Sequence, residues 1–361
     1  MSSTLTSQSR RLPRYAPLAF VVIALIVAGA LVAILQGGVV SFTILAVISF
    51  IVISTVVTIA VEGSRNGVNT LMQSLIYSAF LIALVPLVSV LYSTIAHGVP
   101  GLSWDFLTHS MYGVTGYYDK QAVANHTPIL GGMFHALMGT LLITLLTTLI
   151  SVPIGLLTSI YLVEYAEGNH LSKIIVFLVD VMTGIPSIVA GLFSYAFFSL
   201  IIGPGTKNGA VGAVALSVLM IPVIVRSSEE MLRLVPFELR EASYALGVPK
   251  WKTILKVVLP TAISGIVSGV TIAIARVIGE TAPLIVTAGF ALKMNYNLFH
   301  GWMTALPAYI YQQALNPTAP QAPEPSLERA WAAALILIVI VMLLNLVARL
   351  IARYFAPKTG K

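Results

Sequence analysis

Residues 226–260 read RSSEEMLRLVPFELREASYALGVPKWKTILKVVLP, a charged stretch flanked on both sides by long apolar segments. Its punctuation is that of structured chain. Pro236 fits the first turn of a helix, where its missing N–H costs nothing. FELREASYAL (237–246) is rich in helix formers, and Gly247 can take the left-handed cap that ends a helix. Pro249 cannot continue that helix. KWKTILKVV (250–258) then reads as a second, amphipathic piece with Trp251, Ile254, Leu255 and Val258 along one side. The expected product is a helical elbow at a membrane surface. From the residues alone it either plugs into a groove on another protein or lies on lipid as an interfacial anchor.

The rest of the chain supplies the membrane. Of 361 residues, 58% are hydrophobic and 9% charged, where soluble domains carry about 25% charged residues. The fold class is all-α and polytopic. Apolar windows long enough to cross the hydrocarbon core fall at 18–35, 39–61, 71–95, 132–163, 173–202, 209–226, 262–290 and 329–352, giving about eight transmembrane helices. The first follows basic residues but is longer than a signal-peptide core, so it is read as a retained span. Pro153 sits inside the long fourth window.

Basic residues set the orientation. With a cytoplasmic N-terminus, fifteen of the 20 Lys and Arg fall inside, among them Arg10, Arg11, Lys358 and Lys361. Outside lie only Lys120, Lys207, Lys293 and Arg329. Both termini are therefore expected to be cytoplasmic, and the charge of +7 reflects topology rather than nucleic-acid binding. The elbow is the inner loop 227–261; the longer outer connections are 96–131 and 291–328. The absence of cysteine excludes thiolate chemistry. No G-x-x-x-x-G-K-[ST] loop is present, GPGTKNG (203–209) having the wrong spacing, so this chain binds no ATP itself. The six histidines are scattered and read as loop or interface residues, which leaves a membrane enzyme without a catalytic cluster.

One basic residue remains, Arg276, inside a span and four residues before Glu280. Ionisable groups at membrane depth are costly and face a protein interior or an aqueous route. The two form a structural salt bridge, fix helix packing, or sit near an interface because the span is misplaced. Alternatively Arg276 marks an anion path, its fork of donors suiting an oxyanion, with Glu280 accepting from a protonated one. GETAP (Gly279, Glu280, Thr281, Ala282, Pro283) and TGIPS (Thr183, Gly184, Ile185, Pro186, Ser187) place Gly and Pro within windows. Each is expected to break its helix and free backbone N–H groups for an anion. Asp180, one turn before Gly184, is read as structural or gating, pairing with a basic or polar group.

The elbow resembles the EAA loop of ABC-importer permeases. Glu241, Ala242 and Ser243 stand for E-A-A, Gly247 follows after three residues, and Val257, Leu259 and Pro260 end the pattern. Ser243 and Val257 are mild departures. Together with GIPSIVAGLF (184–193), ARVIGETAPL (275–284) and GTLLITLLTTLISVPIGLLTSIYLVEYA (139–166), it is similar to the phosphate-specific permease family of PstA type over residues 71–355. The resemblance implies a type I ABC-importer permease core over 71–361 with six spans, and a 1–70 extension adding two. It implies a bacterial inner-membrane location, with Arg276, Glu280 and Thr281 on a phosphate path and the elbow as coupling helix. It further implies a paralogous permease of PstC type, two ATP-binding subunits using ATP and Mg, and an extracytoplasmic phosphate-binding protein. A permease for sulfate or molybdate, or a stand-alone anion channel or ion-coupled transporter, is the alternative.

Overall fold

The computed structural model describes residues 12–36, 38–166 and 168–355; Arg10, Arg11, Lys358 and Lys361 lie outside the described residues. Among the described residues there is helix and no strand. Two compact units part within one helix, at Tyr92/Ser93.

The first unit holds α1 (Ala16–Leu35), α2 (Val39–Glu62) and the first part of α3 (Ser64–Gly98). In α1 only the stripe Ala16, Phe20, Ala24 and Ala28 is buried, at the i, i+4 spacing of one helix face. Small residues there let α1 and α2 approach closely, which is how helices associate where lipid removes the hydrophobic drive. Ser54 of α2 and Ser74 of α3 share a hydroxyl hydrogen bond of 3.2 Å. Residue 71, the expected start of the six-span core, lies inside α3.

The second unit is built round α9 (Gly209–Arg233), whose membrane portion is mostly buried. Small residues such as Gly212, Ala213, Ala215 and Ser217 allow this, because neighbours close on it from several sides. Those neighbours include α6 (Phe134–Ile160, extended by a π turn at Tyr161–Tyr165), α7 (His170–Thr183), α8 (Ser187–Ile201) and α12 (Leu259–Ile278). Ile143, Leu216, Met220, Ile224, Ala273 and Val277 interdigitate where these helices meet. Truncating such a side chain costs about 2–5 kcal/mol through the void it leaves.

Several window boundaries move. α9 runs to Arg233 rather than ending at 226, so the elbow is shorter than 227–261. The window at 262–290 is misplaced: the span begins at Lys250 and ends at Ile278. KWKTILKVV is thus no separate interfacial piece. α11 (Lys250–Thr253) passes through a π turn at Ile254–Val258 directly into α12, and this local i→i+5 pattern carries the helix past Pro260. The window at 173–202 is likewise not one rod, since α7 and α8 meet at 109°. Among the described residues seven helices are long and apolar enough to cross a membrane, or eight if this bent pair counts as one span.

The expected loops 96–131 and 291–328 are structured. They hold α4 (Trp104–Thr108), α5 (Gly116–Asn125) and α14 (Leu306–Leu315), followed by the last span, α15 (Glu324–Phe355). Asp119 of α5 and Arg329 of α15 form a fully buried ion pair, with Nη1 donating to Oδ1 at 3.0 Å. Arg329 also donates to Gln313 Oε1 and to the Leu130 carbonyl, and Thr318 donates to Asp119. Such saturation is what a buried charge requires. His135 is no loop or interface residue: it is buried in the first turn of α6, edge-on to Tyr309 of α14.

Candidate functional site

Both Gly-Pro breaks form, and packing brings them together. α7 stops at Gly184, and Pro186, extended at φ −58° and ψ 137°, opens α8 in its new direction. α12 stops at Gly279, and after Glu280 and Thr281 the chain re-enters helix as α13 (Ala282–Thr287), with Pro283 in its first turn. α13 lies on α8 so closely that a Cβ at Gly191 would sit 2.6 Å from Pro283 Cα. Only glycine allows that approach.

Arg276 occupies the last turn of α12 and is exposed; Glu280 and Thr281 are half-buried. Among the described residues neither Arg276 nor Glu280 makes a side-chain hydrogen bond or an ion pair within 4.0 Å. The i, i+4 pairing fails for a structural reason: the helix ends at Gly279, between the two, so Glu280 leaves the shared face. The arginine fork is left without a side-chain partner among the described residues. Asp180, by contrast, accepts from Arg226 of α9, which also donates to Glu229 at 3.2 Å. Arg233 completes this group by donating to Glu229 at 2.8 Å. Asp180, Gly184, Pro186 and Gly279 are exposed, whereas Pro283 is buried.

The elbow consists of α10 (Phe237–Ala245), a turn and α11. Gly247 has φ +74°, the left-handed cap for which glycine is suited. Its N–H donates to the Tyr244 carbonyl and that of Val248 to the Ser243 carbonyl, satisfying the last acceptors of α10. Glu241 and Ala242 are exposed. Ser243 is buried, its hydroxyl 2.8 Å from that of Thr253, so the serine pins the two arms of the elbow. Leu259 packs inward at the start of α12 and Pro260 faces out. Leu234, Phe237, Leu246 and Trp251 remain exposed around the bend, an apolar patch rimmed by charge.

Sequence reasoning missed the anchor of this elbow. Arg240 Nη2 donates to Glu164 Oε1 at 2.9 Å, both side chains being buried. The available signal was Glu164 itself, an acid closing the apolar run of α6.

The family model of binding-protein-dependent transport system inner membrane components matches residues 151–361. The chain is 45% identical over 293 residues to the phosphate transport system permease protein PstA 1 of Mycobacterium tuberculosis (strain CDC 1551 / Oshkosh), covering 80% of this chain and 90% of that protein. To the phosphate transport system permease protein PstA of Pasteurella multocida (strain Pm70) it is 37% identical over 295 residues, covering 81% and 96%. In fold alone it is similar to a chain of a bacterial alginate ABC transporter solved with an alginate pentasaccharide-bound periplasmic protein. That alignment has TM-score 0.55 and 14% identity, over 81% of this chain and 96% of that one. The chain therefore belongs to the binding-protein-dependent transport system inner membrane components, in the PstA group of permease proteins.

Proposed function

We propose that this chain is a transmembrane subunit of an ATP-driven importer of inorganic phosphate. It forms half of the translocation path and receives its drive through the elbow. The observation that carries the proposal is Arg276: a guanidinium at the end of an apolar span, with no carboxylate within 4.0 Å among the described residues, next to two abutting helix breaks. An oxyanion there meets a fixed fork of donors. Glu280 and Thr281 follow in the break after α12: in this reading the Thr281 hydroxyl donates as well, and the Glu280 carboxylate accepts from the proton of a protonated phosphate. A fully deprotonated sulfate offers no such proton. The names of the curated relatives supply the substrate class.

The exposed apolar bend, with Glu241 at its edge, suits a groove on an ATP-binding subunit. Two such subunits bind ATP and Mg; a paralogous permease of PstC type completes the path, and a phosphate-binding protein delivers the ion from outside. The elbow and both termini then face the cytoplasm, in keeping with the basic residues around the bend. This chain breaks and makes no covalent bond. It exposes Arg276 to one side and then the other as the elbow moves.

The test is uptake of radiolabelled phosphate by the assembled complex. Arg276→Ala lowers uptake at least tenfold, the equivalent of about 1.4 kcal/mol and the lower end of a charged hydrogen bond, while the ATP-binding subunit still co-purifies. Excess sulfate leaves wild-type uptake unchanged. Normal uptake by the variant removes Arg276 from the path, and strong competition by sulfate reassigns the substrate.

A further inference from the structure

At the end of α9 remote from the elbow, α6, α8 and α9 part to leave a cavity of about 690 Å³. Its walls are hydrocarbon: Ile150 of α6, Phe198 and Ile202 at the end of α8, and Val214 of α9. At its mouth Lys207 lies 5.9 Å from the ring centres of both Tyr195 and Trp302. Among the described residues no carboxylate lies within 4.0 Å of this ammonium.

The mouth is fixed in place. Asn208, buried, donates its backbone N–H to the Thr287 carbonyl at 3.0 Å and its side-chain amide to the Phe299 carbonyl at 2.9 Å. Its Oδ1 caps α9 by accepting from Val211 N–H at 2.9 Å. Lys207 is therefore held at the rim by its neighbour in sequence rather than left on a loose loop.

We infer that this cavity is a binding site for one anionic phospholipid, with an acyl chain along the apolar wall and the phosphodiester on Lys207. Two features select this occupant. A cation unmatched by protein charge, framed by aromatic rings at the end of membrane helices, complements an anionic headgroup. Apart from Thr206, Asn208 and His300, which line the cavity together with Lys207, the lining is apolar at Leu146, Ile150, Phe198, Ile202 and Val214; that stretch offers no donors to an oxyanion losing its water, whereas an acyl chain fits it.

The experiment is native mass spectrometry of the full chain from nanodiscs of mixed phosphatidylglycerol and phosphatidylcholine. The wild-type chain retains phosphatidylglycerol in preference to phosphatidylcholine. Lys207→Gln lowers that preference about fivefold, the worth of one lysine near an anionic surface. Ile202→Trp, at a position exposed enough to accept the ring, narrows the wall and reduces retention of both lipids. Unchanged preference in Lys207→Gln overturns the inference. Displacement of the lipid by inorganic phosphate makes the site one for the free ion, and loss of the lipid on addition of a second permease subunit makes it a subunit interface; either result also overturns it.

Discussion

Arg240 in the elbow and Glu164 at the end of α6 form an ion pair of 2.9 Å shielded from solvent. The same guanidinium donates to the carbonyls of Leu232, at 3.0 Å, and Val235, at 2.6 Å. Leu232 is in the last turn of α9 and Val235 lies just beyond it, where helix carbonyls run short of backbone donors. One side chain thus joins the end of α6, the end of α9 and α10.

Removing either partner has unequal effects. Arg240→Met strands a buried carboxylate and frees the carbonyls, a loss of about 3–5 kcal/mol. Glu164→Gln keeps a neutral acceptor for the guanidinium and costs less. Thermal unfolding of the purified chain is expected to show the larger drop in Tm for Arg240→Met; equal drops would remove the carbonyl bonds from the account.

Glycines at the breaks differ in what they do. A Cβ at Gly191 meets the Pro283 backbone at 2.6 Å, so Gly191→Ala forces α8 and α13 apart at about 1–3 kcal/mol. A Cβ at Gly184 finds nothing nearer than the Val181 carbonyl at 3.5 Å, and its φ of −86° suits any residue. Gly184→Ala is expected to leave stability within about 0.5 kcal/mol of wild type. Denaturation of the two variants side by side checks the contrast, and reversal of their order would refute it.

At the elbow, shape and charge separate. Gly247→Val puts a branched side chain at φ +74°, which strains the cap by at least 1–2 kcal/mol, on the order of the general left-handed penalty. Glu241→Lys alters an exposed position and leaves the fold intact. Both are expected to reduce co-purification of the ATP-binding subunit, but only Gly247→Val lowers the Tm. Full retention of that subunit by Glu241→Lys would place the contact elsewhere on the elbow.

The helical class and both breaks were legible because composition and Gly-Pro pairs act locally. Pro260 illustrates what was not. KWKTILKVV reads as a piece apart from the window at 262–290, yet the helix runs on from Lys250 through the π turn at Ile254–Val258 and past Pro260 into α12. The i, i+4 spacing of Arg276 and Glu280 was visible, but whether it made a pair depended on where α12 stopped. Glu164 with Arg240 and Asp119 with Arg329 are 76 and 210 residues apart, and so distant a pairing leaves no periodicity to read. The burial of His135 against Tyr309 was hidden for the same reason.

The Asp119–Arg329 pair also dictates an order of assembly. The aspartate leaves the ribosome 210 residues before its partner, a wait of about 10–40 s at ordinary synthesis rates. Until then a lone carboxylate has every reason to stay hydrated, so α5 cannot settle against its final neighbours. Within the second unit α15 is made after α5, α12 and α14, against which it packs, and a nascent chain cut short before α15 leaves Asp119 without its arginine.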